Sequence, residues 1–418
     1  MRSEVSPGRL DLLRLALPTL AVAALAWPRR RRTAHAGPPR ILVARWDGIG
    51  DFVLMSPFLR ELRRKYPDSR ITLLVGENVA QFAEVCPYVD SVIALSPEPK
   101  KEDFSSYSKY LLALARYAKD LMALADRNLQ GKVDLAIQPR WDMDWQRATL
   151  MTFLCRASRR IGYTAGTSPT KAWGNFGHNW LFTDVLPAGI HQHEVERSLD
   201  IIRYLGGSVE DSTPEVWWTP DDKHQADRFL DEHKLGGGSR IIAFGIGAVK
   251  PRRRWPFYGN LIGLLSQALE FRPLLLSGGE EGIARQIVAA HPSAVPMERM
   301  SWRVVASVLS RCSLFVGNNS GPIHVAAAAR CPVIEISGHP VGGRLGHEND
   351  PERFGPLGAQ RLIIRPKGFA DDCKGGCERN TPHCITGIKP EEAASEVVRF
   401  AESIGGAAIE SRECKAPL

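Results

Sequence analysis

The sequence predicts an α/β protein made of two parallel-sheet units in tandem, and three observations carry that prediction. From Arg40 onward, short β-branched runs alternate with helical patterns, which is the signature of parallel strands joined by crossover helices. The alternation breaks over a polar, Gly- and Pro-bearing stretch from Gly206 to Gly238 and then resumes. The length of 418 residues exceeds one ordinary domain and suits two globular units with a short extra segment.

In the first half the expected strands are residues 41–45, 71–75, 92–95 and 133–138. A helix is expected over 52–66, because Leu54, Phe58, Leu59 and Leu62 share one face while Arg60, Arg63, Arg64 and Lys65 fill the other face and the last turn. Pro57 implies a late start or a kink there. The stretch 206–238 reads as an interdomain connection holding one helix near 221–233. The second half repeats the pattern with strands at 241–244, 273–276, 313–316 and 333–336, and ends in a helix over 390–404 whose first turn is Pro390-Glu391-Glu392. The expected boundaries are 1–39, 40–215 and 216–418. Two such units imply Rossmann-like domains facing a central cleft, with ligands at the carboxyl ends of the strands.

Composition is globular, with 44% hydrophobic and 24% charged residues. The net charge of +8 is concentrated in Arg29 to Arg32 and in Lys250, Arg252, Arg253 and Arg254, which suits anionic partners. No zinc-finger, RNP or basic-helix pattern accompanies the charge, so nucleic acid is not an expected partner. Eight scattered cysteines fit a reducing compartment. Cys373, Cys377 and Cys384, with His383 beside the last, are suitable zinc ligands by type. Their C-x3-C-x6-C spacing matches no standard zinc pattern, so a surface loop with free or redox-sensitive thiols is expected.

Residues 10–27 are apolar but interrupted by Asp11, Arg14 and Pro18. A span needs about 20 mainly apolar residues, and a signal peptide carries its positive charge before the apolar run, not after it. An inserted segment would hold Arg29 to Arg32 on the cytoplasmic side, and an interfacial one would set them on anionic headgroups. Either places the chain at the inner face of the cytoplasmic membrane; the remaining reading is a poorly ordered tail or a helix packed on the body.

Three stretches have residues suited to chemistry. Trp46-Asp47-Gly48-Ile49-Gly50-Asp51 sits where a strand hands over to a helix. There Gly48 and Gly50 allow a tight turn and close backbone approach, and Asp51 is either an N-cap or a general base kept ionised by the helix dipole. The run from Gly247 to Pro256 places Lys250, Arg252, Arg253 and Arg254 directly after a strand, either as a clamp for a departing diphosphate or as a solvated basic loop. The run Gly317-Asn318-Asn319-Ser320-Gly321-Pro322-Ile323-His324 leads into an alanine-rich helix, with Ser320 suited to its cap and Pro322 to its first turn. Its free N–H groups form a plausible phosphate cradle, and His324 either donates to a phosphate or packs in the helix.

In this order, the stretches resemble glycosyltransferase family 9, the heptosyltransferase family of lipopolysaccharide core assembly. The segment from Gly50 to Arg60 is similar to the family's G-D-x-V-L-x-T/S-P-x-L-R opening, and His193 to Arg197 resembles its H-x-V-E motif. Arg253-Arg254-Trp255-Pro256 is similar to its basic W-P motif, and Ser320 to Ala326 resembles D-S/T-G-x-x-H-L-A. Pro351 to Pro356 and the late cysteines also look like family features. The resemblance spans about residues 40 to 400.

It implies a GT-B fold with an acceptor-binding first domain and a nucleotide-sugar-binding second domain. It also implies no metal or cofactor in the chemistry, and a donor such as ADP-heptose with a lipid-linked or polysaccharide acceptor. By the same resemblance Asp51 is the base of an inverting transfer and Arg253 meets the donor phosphates. Ser320, Gly321 and His324 line the donor site, with Lys250, Arg254 and Asn319 beside them. Asn319 departs from the family, which has an acidic residue there, and Arg253 stands where lysine is common. Two other readings stand beside this one: an inactive nucleotide-sugar-binding scaffold of a glycan assembly complex, and an epimerase of GT-B type.

Overall fold

The computed structural model describes residues 37–96, 105–129, 132–145, 148–189, 192–235, 240–297, 299–370, 373 and 380–405. The apolar stretch 10–27, Arg29 to Arg32 and Cys377 lie outside these. No helix among the described residues is long and apolar enough to cross a membrane.

The chain divides into two compact units. Among the described residues, the first holds those up to Gly48, Pro57–Ile190 and Glu194–Ser212; the second holds those of Ile49–Ser56, His191–His193 and from Thr213 on.

The first unit is built on six parallel strands, β1 (Ile41–Ala44), β2 (Ile71–Gly76), β3 (Ser91–Leu95), β4 (Leu135–Gln138), β5 (Arg159–Tyr163) and β6 (Asp184–Leu186), in the order β3-β2-β1-β4-β5-β6. Strand β1 is central, with Val43 opposite Leu73 on one side and Ile137 on the other, and all four of its residues are buried. A fully buried parallel strand carries apolar side chains on both faces, which is why Ile41 to Ala44 shows no alternation. Leu42, Ala44, Leu74, Ala136, Leu121 and Met151 form the core beneath it.

The second unit repeats the plan with β7 (Ile241–Gly245), β8 (Arg272–Leu276), β9 (Val295–Met297), β10 (Leu314–Asn318), β11 (Val333–Ile336) and β12 (Arg361–Ile364), all parallel, in the order β12-β11-β10-β7-β8-β9. Read from the other edge this is the same 3-2-1-4-5-6 winding. Its core joins Ile242, Phe244, Leu275, Val316 and Ile334 to Trp255, Tyr258, Ile385 and Val397. The Trp255 ring meets those of Phe257 and Tyr258 edge-on, with centroids 5.6 and 5.2 Å away.

The helix expected over 52–66 runs instead from Ile49 to Lys65, with Gly48 as its N-cap. Asp51 is therefore not the cap but a first-turn residue. Pro57 sits inside the helix without ending it. Proline removes the N–H that would bond the carbonyl four residues back, and Ser56 Oγ supplies a substitute donor to that carbonyl, Val53 O, at 2.7 Å. The connection region holds the helix Pro220–Glu232, started by a capping box between Thr219 and Asp222 and by Pro220 in its first turn. Strands β5, β6, β9 and β12 were not expected. Two arginines open β5, β6 and β9 are three residues long, and β12 begins with Arg361 on an edge, so the apolar run that marks a buried strand is missing.

Candidate functional site

In a doubly wound sheet the crevice forms where the strand order reverses, at the carboxyl ends of the two strands flanking that point. In the second unit those strands are β7 and β10. The basic run follows β7 after Gly245, and the Ser320-Gly321-Pro322 turn follows β10 after Asn318. The topology thus brings together two stretches about seventy residues apart.

Asn318 bolts them. Its Oδ1 accepts from the Trp255 N–H and the Tyr258 hydroxyl, both at 3.0 Å, and its Nδ2 donates to the carbonyls of Gly245, Ile246 and Gly247 at 3.2 to 3.3 Å. Every polar atom of this fully buried amide is engaged. An amide in a turn carries no signal of its partners, so the sequence does not mark Asn318 for this role.

The basic loop is not a free set of solvated cations. Lys250 and Arg252 both pair with Glu348, and Arg254 pairs with Glu280 at 2.7 Å while donating to the Ala248 carbonyl at 2.8 Å. Burial would raise the Glu348 pKa, but Lys250, Arg253 and Arg252 outweigh it and hold the carboxyl at about 2. Burial in turn lowers the Lys250 pKa, with Glu348 opposing. Arg253 spends Nε on Asn349 Oδ1 at 2.6 Å, and its terminal nitrogens on the carbonyls of Asn319 at 3.2 Å and Glu348 at 2.8 Å. Three of the five donors of a guanidinium are thereby committed, leaving two for a ligand. Burial lowers the Arg253 pKa, and the negative charges of Glu348, Glu335 and Asp51 oppose that shift.

Two helix N-termini meet beside this loop within the same unit. Ile49–Lys65 begins at Gly48 and Gly321–Ala328 begins at Ser320, and neither first turn has a side-chain cap. Ser320 Oγ instead donates to the Asn318 carbonyl at 3.3 Å, so the expected capping bond is not made. The contact requires two glycines. A Cβ on Gly50 would lie 2.7 Å from His324 Cδ2, and one on Gly321 would lie 2.2 Å from Ile49 Cγ2. Uncapped first turns present N–H groups and the positive ends of helix dipoles, which favour an anion.

His324 is buried in this contact, with Nδ1 lacking a hydrogen-bond partner among the described residues. Its pKa falls to about 3, first through burial and then through the charges of His193 and Arg253. It is therefore neutral at pH 7, and what it can offer a ligand is a hydrogen bond, not a positive charge. His193 is tied to the Gly355 carbonyl through Nε2 at 2.9 Å.

Asn319 is buried, and its Nδ2 donates to Glu335 Oε1 at 2.8 Å. Glu335 lies on β11 opposite Gly317 and is fully buried. Desolvation raises its pKa to about 7, with the Asn319 bond and the Arg253 charge pulling the other way. The acidic group absent at position 319 therefore has a neighbour one strand over. A lone glutamate in an apolar strand looks like an outward-facing residue, so the sequence does not mark Glu335.

The first unit has its own polar cluster at its switch point, between β1 and β4. Asp47 receives Arg45 Nε at 2.8 Å and Arg140 at 2.5 Å. Burial works against the ionised form, but the two guanidiniums outweigh it and lower the pKa. Of the cysteines, Cys384 is buried, unlike the surface thiol expected.

The profile of Glycosyltransferase family 9 (heptosyltransferase) matches residues 129–374. A Haemophilus influenzae protein whose name marks it as an unproven glycosyltransferase is 40% identical over 308 residues, covering 71% of this chain and 81% of that one. Lipopolysaccharide heptosyltransferase 3 of Escherichia coli is 23% identical over 69% of this chain and 79% of its own length. Among solved structures, a family 9 glycosyltransferase of Veillonella parvula superposes with a TM-score of 0.67 at 20% identity, over 88% of this chain and 97% of the other. The ADP-heptose lipopolysaccharide heptosyltransferase II of E. coli gives 0.62 at 17% identity, over 87% and 99%. These likenesses identify the two wound sheets as the GT-B fold. The chain is a member of glycosyltransferase family 9, and glycosyl transfer is its activity class.

Proposed function

We propose that the protein is an inverting glycosyltransferase that moves a sugar from a nucleotide-diphosphate donor to a hydroxyl of a surface-glycan acceptor. One observation carries the reading: Asp51, Arg253 and His324 gather in one unit. Gly50 packs on the His324 ring, and the Asp51 carboxylate bears electrostatically on Arg253.

In this mechanism the acceptor oxygen bonds to the anomeric carbon from the face opposite the departing phosphate, and Asp51 takes the hydroxyl proton. The nucleotide diphosphate leaves with the bonding electrons. Its growing charge is met by the two uncommitted N–H groups of Arg253, by Lys250 and by the first turn of Gly321–Ala328, so the step uses no metal. Ser320, Gly321 and His324 shape the donor pocket, Asn319 and Arg254 hold the loops around it, and Gly48 starts the helix that carries Asp51. The relative named for ADP-heptose makes that sugar nucleotide the first donor to try. Lipopolysaccharide or another lipid-linked glycan is the matching acceptor. Residues 10–32 would hold the enzyme at the inner face of the cytoplasmic membrane, which carbonate extraction of the full chain against one starting near Arg40 checks.

The test is a thermal-shift panel of ADP-, GDP-, UDP- and dTDP-linked sugars. A donor at a hundred times its Kd adds about 2.7 kcal/mol of stability. A shift with one nucleotide, lost in Arg253→Ala, supports the reading. Silence across the panel favours the inactive scaffold.

A further inference from the structure

We propose that Cys373, His383 and Cys384 form a structural binding site for a soft divalent cation of the zinc class, separate from the donor pocket. One ligand atom from each lies within 4.8 Å of the others, so that a small inward movement of the side chains lets a single ion reach all three with its ordinary bonds of about 2.0 to 2.3 Å. Neither sulfur is tied up in a disulfide.

Two further contacts set the ligand atoms as a metal would need them. His383 Nδ1 lies 2.8 Å from the Thr381 carbonyl. A carbonyl only accepts, so Nδ1 carries the hydrogen and the neutral ring keeps its lone pair on Nε2. This is the outer hydrogen bond by which metal-bound histidines are oriented. On the other side, Ala370 holds both cysteines: its N–H donates to Cys384 Sγ at 3.4 Å and its carbonyl accepts from Cys373 N at 2.8 Å. The turn carrying Cys373 is thus folded over the short helix Cys384–Gly387.

The site lies where a clip has mechanical effect. Ile385 and Ile388 follow directly and pack in the core with Trp255, whose Nε1 donates to the Ile388 carbonyl at 3.0 Å. Trp255 closes the basic loop. An ion held by Cys373, His383 and Cys384 therefore steadies the floor beneath Lys250 to Arg254 without touching the reacting atoms.

The test uses the full chain. Metal content after purification without chelators is measured by mass spectrometry, and the stripped protein is titrated with cobalt(II) alone. The expected result is one zinc per chain, and a cobalt spectrum with thiolate-to-metal charge transfer and tetrahedral d–d bands. His383→Ala, at a partly exposed position, should weaken cobalt binding roughly tenfold or more, and Cys373→Ser/His383→Ala should abolish the charge-transfer band. Donor-induced thermal shifts serve as a control that these variants fold. Substoichiometric metal with no charge-transfer band would overturn the proposal. So would an unchanged spectrum in the double variant, or a Cys373–Cys384 disulfide in protein purified under reducing conditions.

Discussion

Asn319→Asp restores the acidic residue that the family usually has at this position, and here it should destabilise the protein in a pH-dependent way. The substitution sets a carboxylate against Glu335, where the present contact is 2.8 Å. Two full charges at that distance repel by about 6 kcal/mol at an effective dielectric of about 20. The pair therefore keeps one proton, as coupled carboxylates do. In the native protein the raised pKa of Glu335, about 7, means that the folded state holds a proton the unfolded chain has released. The sign follows: Glu335 protonation adds stability below the unfolded carboxyl range near 4.5, and that contribution is lost as pH rises through 7. Above pH 7 the native curve is flat for this group. The variant still holds its proton there and loses about 1.4 kcal/mol per pH unit, or about 2 kcal/mol between pH 7 and 8.5. Urea denaturation at several pH values measures this as a difference from native, so other titrating groups cancel. Asn319→Asp/Glu335→Gln, with one carboxylate left, should remove the added slope. A native-minus-variant difference that stays constant from pH 6 to 8.5 would refute the assigned contact.

Three other outcomes follow from the same geometry. Gly50→Ala pushes a methyl group to 2.7 Å from His324 Cδ2, so it should cost about 1 to 3 kcal/mol of stability and lower turnover, measured by denaturation and steady-state kinetics. Glu348→Gln releases Lys250 and Arg252 from their shared carboxylate, so pyrophosphate should bind several-fold more tightly by calorimetry with a steeper salt dependence. His324, with its folded pKa depressed to about 3, leaves the unfolded chain as the better proton binder below pH 6.5. Native stability should therefore fall by about 1.4 kcal/mol per unit as pH drops from 6 to 4, and His324→Gln should flatten that limb in acid denaturation.

The sequence revealed what is written in local pattern. Ile41 to Ala44 and Ile241 to Phe244 are apolar runs of strand length, and their repetition on either side of Gly206 to Gly238 announced two wound sheets. Asp51, Arg253 and His324 were singled out by their place after strands and by linked motifs. What stayed hidden depends on long-range pairing. Glu348 lies nearly a hundred residues from Lys250, and nothing near it in the chain marks it as that lysine's counter-ion. The same holds for Glu335, whose burial beside Asn319 is set by strand order, and for Asn318, whose partners lie sixty or more residues away. The start of the first helix was misplaced because Gly48-Ile49-Gly50 reads as a loop. Only packing against His324 and Gly321 explains glycine at position 50 inside a helix.

The central claim is that Asp51 takes the acceptor's proton during transfer, and Asp51→Asn tests it most directly. The amide keeps the shape of the side chain while removing its basicity, so single-turnover transfer should fall by a factor on the order of a hundred or more, while donor affinity by calorimetry changes little. Transfer at the native rate with unchanged donor binding would contradict the account and move the base elsewhere.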